Sequence, residues 1–154
     1  MKAFFTGNPV PPVLTTPEQR LYRTRIREGV STGRGVWTGS WKNAKEKAGP
    51  NFAGQYIVVR WGCGSNCLMM AIADAQTGKV LGSPIPGVGT ELYVSMDMMG
   101  EGEIDFRLDS SLMIFRNACR EARSKCGIYY FNLKDDHFNL IRWMPVDLMK
   151  SGRE

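Results

Sequence analysis

A single histidine, His137, serves a chain of 154 residues. That scarcity narrows nucleophilic catalysis, because a hydroxyl or thiol nucleophile needs a neighbouring base and a group to orient it. No apolar stretch approaches the roughly 20 residues of a membrane-spanning helix. The opening MKAFF is cut off by Gly7, Asn8 and Pro9, too soon for the apolar centre of a signal peptide. GVGT at 87–90 lacks the lysine that a phosphate loop requires. No nucleic-acid motif accompanies the basic residues, so nucleic acid is not the expected partner.

What is present describes a globular domain. Hydrophobic residues make up 43% of the chain, too many for a disordered protein. The length fits one domain that can bury a core without needing disulfides merely to fold. The formal net charge of +5 permits an acidic partner and is also ordinary for solubility.

Residues 1–15 form an extended arm, since Pro9, Pro11 and Pro12 fix φ and remove donors. Residues 16–154 are read as one β-rich domain. It opens on a helix signal: Thr16 as cap, Pro17 at the first position, and Gln19 to complete a capping box. The helix is predicted to reach Glu28 and stop at Gly29. Tyr22, Ile26 and Val30 give it a narrow apolar stripe with Leu21 beside it, and Arg20, Arg23 and Arg27 line the other side. Those arginines suit either a solvated face or an acidic-partner surface.

A polar insertion follows at 31–49, interrupted by Trp37 and Trp41. The two tryptophans either pin this segment to the core or anchor a partner, and 41–47 has short-helix character. Strand signals then run in succession: 55–61, 68–74, 79–81, 91–96, 104–108, 112–116, 127–133 and 138–144. Turn chemistry separates several of them, at Ala75-Gln76-Thr77-Gly78, Asp109-Ser110-Ser111 and Lys134-Asp135-Asp136-His137. The pattern predicts a mainly β, α+β fold. An antiparallel meander would form a curved sheet or small barrel, with one N-terminal helix packed on it.

The four cysteines, Cys63, Cys67, Cys119 and Cys126, admit several chemistries. Local spacing suggests Cys63–Cys67 and Cys119–Cys126 disulfides, with Gly62 and Gly64 letting the first loop turn tightly. The two other pairings remain open. Structural zinc fits the first pair's spacing but not the second's. A redox thiol would more often show C-x-x-C. A thiol enzyme would have to join Cys63 or Cys119 to His137 across the sheet. Disulfides imply an oxidising compartment, so the signal peptide is read as trimmed from this sequence.

Met69, Met70, Met96, Met98 and Met99 could bind soft copper, yet such residues more often fill a core. Asp105 and Asp109 could form a carboxylate pair. The acidic stretch 97–105 lacks the order of a calcium loop. No catalytic residue, metal ligand or cofactor is assigned.

One resemblance adds to this reading. Asn51, Phe52, Ala53, Gly54 and Tyr56, then Trp61, Gly62, Cys63, Gly64 and Cys67, then Asp74, Thr77, Gly78, Lys79 and Val80 make a pattern. It is similar to that of a group of small secreted or periplasmic bacterial proteins. The tail from Leu112, with its cysteine loop and Tyr129-Tyr130-Phe131, also resembles that group. The resemblance implies a bacterial, exported, β-rich protein and carries no activity. Against that pattern 31–49 looks like an insertion.

The function expected is therefore non-enzymatic: an exported domain acting by protein contact, with an inhibitor or immunity-type protein as one form. Trp37, Trp41, Arg20, Arg23 and Arg27, with the 63–67 loop, are the expected contact residues. A thiol-dependent enzyme using His137 is one alternative. A cell-envelope component whose proline-rich arm docks onto a neighbour is the other.

Overall fold

The computed structural model describes residues 4–39, 44–64, 67–87, 89–96, 103–120 and 125–145. Two helical pieces come first, α1 (Pro17–Leu21) and α2 (Arg23–Thr32). Among the described residues nine strands follow: β1 (Trp37–Thr38), β2 (Lys45–Glu46), β3 (Tyr56–Gly62), β4 (Leu68–Asp74), β5 (Val80–Leu81), β6 (Glu103–Phe106), β7 (Leu112–Arg120), β8 (Lys125–Lys134) and β9 (His137–Pro145). They build a β1-β2 hairpin, a β3-β4-β5 sheet and a β6-β7-β8-β9 sheet, every neighbouring pair antiparallel. The protein is mainly β with a helix on one face, in agreement with its strand-after-strand sequence.

β3 and β4 lie in the middle, which is why they read as continuous apolar runs. Alternate side chains serve different cores. Ile57, Val59 and Trp61 join Met69, Ala71 and Ala73 beneath Ile26 and Val30 of the helix. Tyr56, Val58, Met70 and Ile72 join Met113, Phe115, Tyr129 and Phe131 of the second sheet. Met69, Met70 and Met96 are thus core residues; Met98 and Met99 lie outside the described residues.

Segment 91–96 is not a ladder strand, although its composition predicts one. It joins the sheets. Met70 N–H donates to Leu92 O and Val94 N–H to Leu68 O, on the edge of β4. Cys119 N–H then donates to Ser95 O, on β7. Leu92, Val94 and Met96 are buried along this seam.

The helix departs from expectation in four ways, the first being a break at Tyr22 (φ −102°, ψ 25°) that divides it into α1 and α2. Gly29 does not stop it, because α2 continues to Thr32 and Gly33 supplies the left-handed cap at φ 83°. A Cβ on Gly29 would stand 2.5 Å from both methyl carbons of Val59, so this glycine sets how closely helix and sheet approach. Leu21 points away from the core and is 70% exposed. Thr16 does cap, accepting from Gln19 N–H at 3.1 Å, but the Gln19 side chain returns to Thr15 N–H rather than Thr16.

The proline-rich arm is extended and tied to its own domain. Phe5, Val10 and Val13 N–H groups donate to Gly54, Ala75 and Gly78 carbonyls. The short helix foreseen at 41–47 is corrected over Lys45–Glu46, which pairs as a strand with Trp37–Thr38.

Candidate functional site

The insertion after α2 wraps the free edge of β3. Val36 bridges Val59, and Arg60 N–H donates to Gly35 O at 3.1 Å. Gly35 needs its positive φ of 83° and missing Cβ, since a Cβ there would lie 2.5 Å from Arg60 O. Asn51 fixes the next turn. It is buried, its Oδ1 accepts from Val58 N–H at 2.8 Å, and its Nδ2 donates to Trp37 O at 3.0 Å. Asn51 thus locks Trp37 to β3, beyond the local side-chain turn its sequence context suggests.

Trp37 is half-buried and covers Arg60. The Arg60 guanidinium carbon lies 5.2 Å from the Trp37 ring centre and 5.7 Å from that of Phe106. Such contacts stabilise a cation by roughly 0.5–2 kcal/mol. Arg60 is only 8% exposed. Desolvation by burial lowers its pKa from the ordinary guanidinium value to about 10, which leaves it charged at neutral pH. Among the described residues no carboxylate pairs with it.

Trp37 also separates two concavities. On one side, a cavity of about 610 Å³ is lined by residues that include Lys47, Asn51, Asp105, Phe106 and Arg107. On the other, a recess of about 260 Å³ is lined by residues that include Arg25, Glu28, Arg34, Glu46, Arg60 and Trp61. Gly62, at the foot of the Cys63–Cys67 loop, lines the recess as well. The insertion therefore meets the end of β3 from which the disulfide loop departs.

Of the contact residues expected from sequence, Arg20, Arg23 and Arg27 are exposed along the helix, and no described acidic side chain pairs with them. Arg23 instead donates to Arg20 O. Trp41 lies outside the described residues. Arg25, Arg34, Arg60 and Phe106 were not singled out in the sequence. The signal that could have found Arg60 is a charge inside the apolar run Ile57–Trp61, at a position facing the second sheet.

Other candidates resolve structurally. Cys63–Cys67 and Cys119–Cys126 form disulfides, with Cα separations of 5.0 and 3.9 Å. The second lies within the β7–β8 ladder, because β7 runs on to Arg120 past a bulge at Asn117. All four cysteines are engaged, so neither Cys63 nor Cys119 offers a free thiol to His137, which is exposed at the start of β9. Asp105 pairs with Arg116 at 2.8 Å and Asp109 with Arg107 at 3.2 Å. Each carboxylate thus has its own cation, and the Asp105 hydrogen bond raises the Arg116 pKa.

Compared with protein-family models, curated proteins and solved structures, the chain matches none. Its disulfides suit an oxidising, extracellular-type environment. No helix among the described residues is long and apolar enough to cross a membrane.

Proposed function

We propose that this is an exported bacterial binding domain without catalytic chemistry, acting on an acidic protein partner in the manner of an inhibitor or immunity protein. The observation that carries this reading is the basic face of the helix, Arg20, Arg23 and Arg27, exposed and without an acidic partner among the described residues, with Arg25 on the opposite flank lining the recess beside Trp37. Arginines and aromatic anchors are what protein interfaces concentrate. Exposed, unpaired charges of one sign also steer an oppositely charged partner. Export, whether periplasmic or fully secreted, is supported by the two disulfides.

The envelope-component reading draws less support, because the arm meant to reach a neighbour is hydrogen-bonded to its own domain. The thiol-enzyme reading would first need a disulfide to be reduced.

A matched pair of baits tests the proposal. The Arg20→Gln, Arg23→Gln, Arg27→Gln triple variant alters only exposed side chains, so it should melt like the wild type. Chemical cross-linking in exported-protein extracts should yield an acidic partner with the wild type at low salt. Capture should drop by about tenfold or more in the variant and weaken as salt screens the charges. Equal capture by both baits, or capture indifferent to salt, would remove the basic face from the function.

A further inference from the structure

We propose that the larger cavity, between the 31–49 insertion and the end of β6, binds a small aromatic anion: a flat ring system carrying a carboxylate or a phosphate. At about 610 Å³ the cavity has the size of a small-molecule site. Two aromatic side chains line it, Trp37 from β1 and Phe106 from β6. Pro50 and Leu108 extend the apolar wall. One turn ties the two sides together. Asn51 Nδ2 donates to Trp37 O at 3.0 Å on the insertion side, and Gly54 N–H donates to Leu108 O at 2.7 Å on the β6 side. The cavity is thus preformed, and little ordering opposes binding.

The polar lining selects charge. Asn51 is spent on the backbone, its Oδ1 accepting from Val58 N–H and its Nδ2 donating to Trp37 O. Asp105 is held by Arg116 at 2.8 Å, so its negative charge is matched. Two lining cations remain. Lys47 is exposed, and no acidic side chain pairs with it among the described residues. Arg107 pairs with Asp109 at 3.2 Å, but both are largely exposed, and such pairs are weak enough to exchange partners. Arg60, buried against both rings, adds a positive charge that no described carboxylate offsets. Its field is poorly screened because little water surrounds it. The potential is therefore positive where the walls are aromatic. A cationic ring is repelled, a neutral ring gains stacking alone, and an anionic ring gains both. The ring lies against Trp37 and Phe106, with its charged group turned to Lys47 and Arg107 at the rim. The site draws on none of Arg20, Arg23 and Arg27, so it goes beyond the acidic-partner reading and is tested apart from it.

The test titrates indoleacetate and adenosine monophosphate into the isotope-labelled full chain. Indoleacetamide, which is neutral, and propionate, which has no ring, serve as comparisons. The Trp37 indole N–H resonance is followed by NMR, assigned from a Trp37→Phe spectrum. At least one aromatic anion should move it saturably, with a dissociation constant below about a millimolar. Indoleacetamide and propionate should each bind about tenfold more weakly than indoleacetate. The Lys47→Gln, Arg107→Gln double variant alters only exposed side chains, so it should melt like the wild type and weaken the aromatic anions by about tenfold.

Tighter binding of indoleacetate assigns a carboxylate to the natural ligand, and tighter binding of adenosine monophosphate a phosphate; either result sustains the site. A still indole with both anions, or binding by indoleacetamide or propionate equal to that of indoleacetate, would overturn it. So would an unchanged titration in the double variant. None of these outcomes touches the capture through Arg20, Arg23 and Arg27 that tests the proposed function, and loss of that capture leaves the cavity's ligand standing.

Discussion

Tyr56 sits where the two sheets meet, and its hydroxyl donates to the Asp136 carboxylate in the β8–β9 turn. Burial, and then that hydrogen bond, raise its pKa well above the ordinary 10. The consequence for stability has a definite sign. Below pH 10 the phenol is neutral in both the folded and the unfolded chain, and the native contact contributes in full. Above it the unfolded chain has released a proton that the folded chain still holds, so stability falls as pH rises. Denaturant melts of wild type and Tyr56→Phe should therefore converge at alkaline pH. The variant should be weaker by about 1–3 kcal/mol near neutrality, and the gap should shrink above about pH 10. A gap that stays constant would mean the phenol titrates normally. Arg60 shows the opposite linkage, because burial without a carboxylate favours its neutral form. The two groups mark the difference between a satisfied polar contact and an unsatisfied one.

Among the elements, the helix depends on closeness more than on apolar mass. Its contact stripe is Ile26, Gly29 and Val30, and the facing side of β4 offers Ala71 and Ala73. Small residues on both surfaces bring the layers together. Gly29→Ala should therefore destabilise despite the better helix propensity of alanine, by about 1–3 kcal/mol of overpacking. Adding Val59→Ala should make the two changes non-additive, with the pair less destabilised than the sum of the singles. Additive losses in thermal melts would show that Val59 is not what the new methyl meets. The same position explains what the sequence could and could not tell. A glycine after Glu28 reads as a helix stop, because a local pattern cannot distinguish a cap from a close approach. β3, β4 and the β8–β9 hairpin were legible, since apolar runs and the Asp135-Asp136 turn fix them locally. Segment 91–96 was not, because its hydrogen bonds go to two different sheets and the residues that receive them lie far away in sequence. β7 outran its expected end at Arg116 because the bulge at Asn117 resets the pleat and lets the ladder continue to Arg120.

Across the whole molecule, the candidate site was legible only by its rim. Trp37 and the exposed arginines stand out as composition. Arg60 and Phe106 lie 46 residues apart in numbering and meet through the packing of two sheets. The disulfides, by contrast, were read from spacing, and their energetic role follows from size. Loops as short as 63–67 and 119–126 contribute about 2 kcal/mol each in the chain-entropy account. A domain of this length has about 5–15 kcal/mol in total and a double-layered core around β3 and β4. Reduction should thus weaken the protein without unfolding it at room temperature. Losing about 4 kcal/mol at about 2–4 °C per kcal/mol lowers Tm by about 8–16 °C. The check is a thermal melt with and without a phosphine reductant, with both thiol pairs counted by alkylation and mass. Unfolding on reduction at 25 °C would mean that the packed sheets are too weak to hold the fold without the two local cross-links.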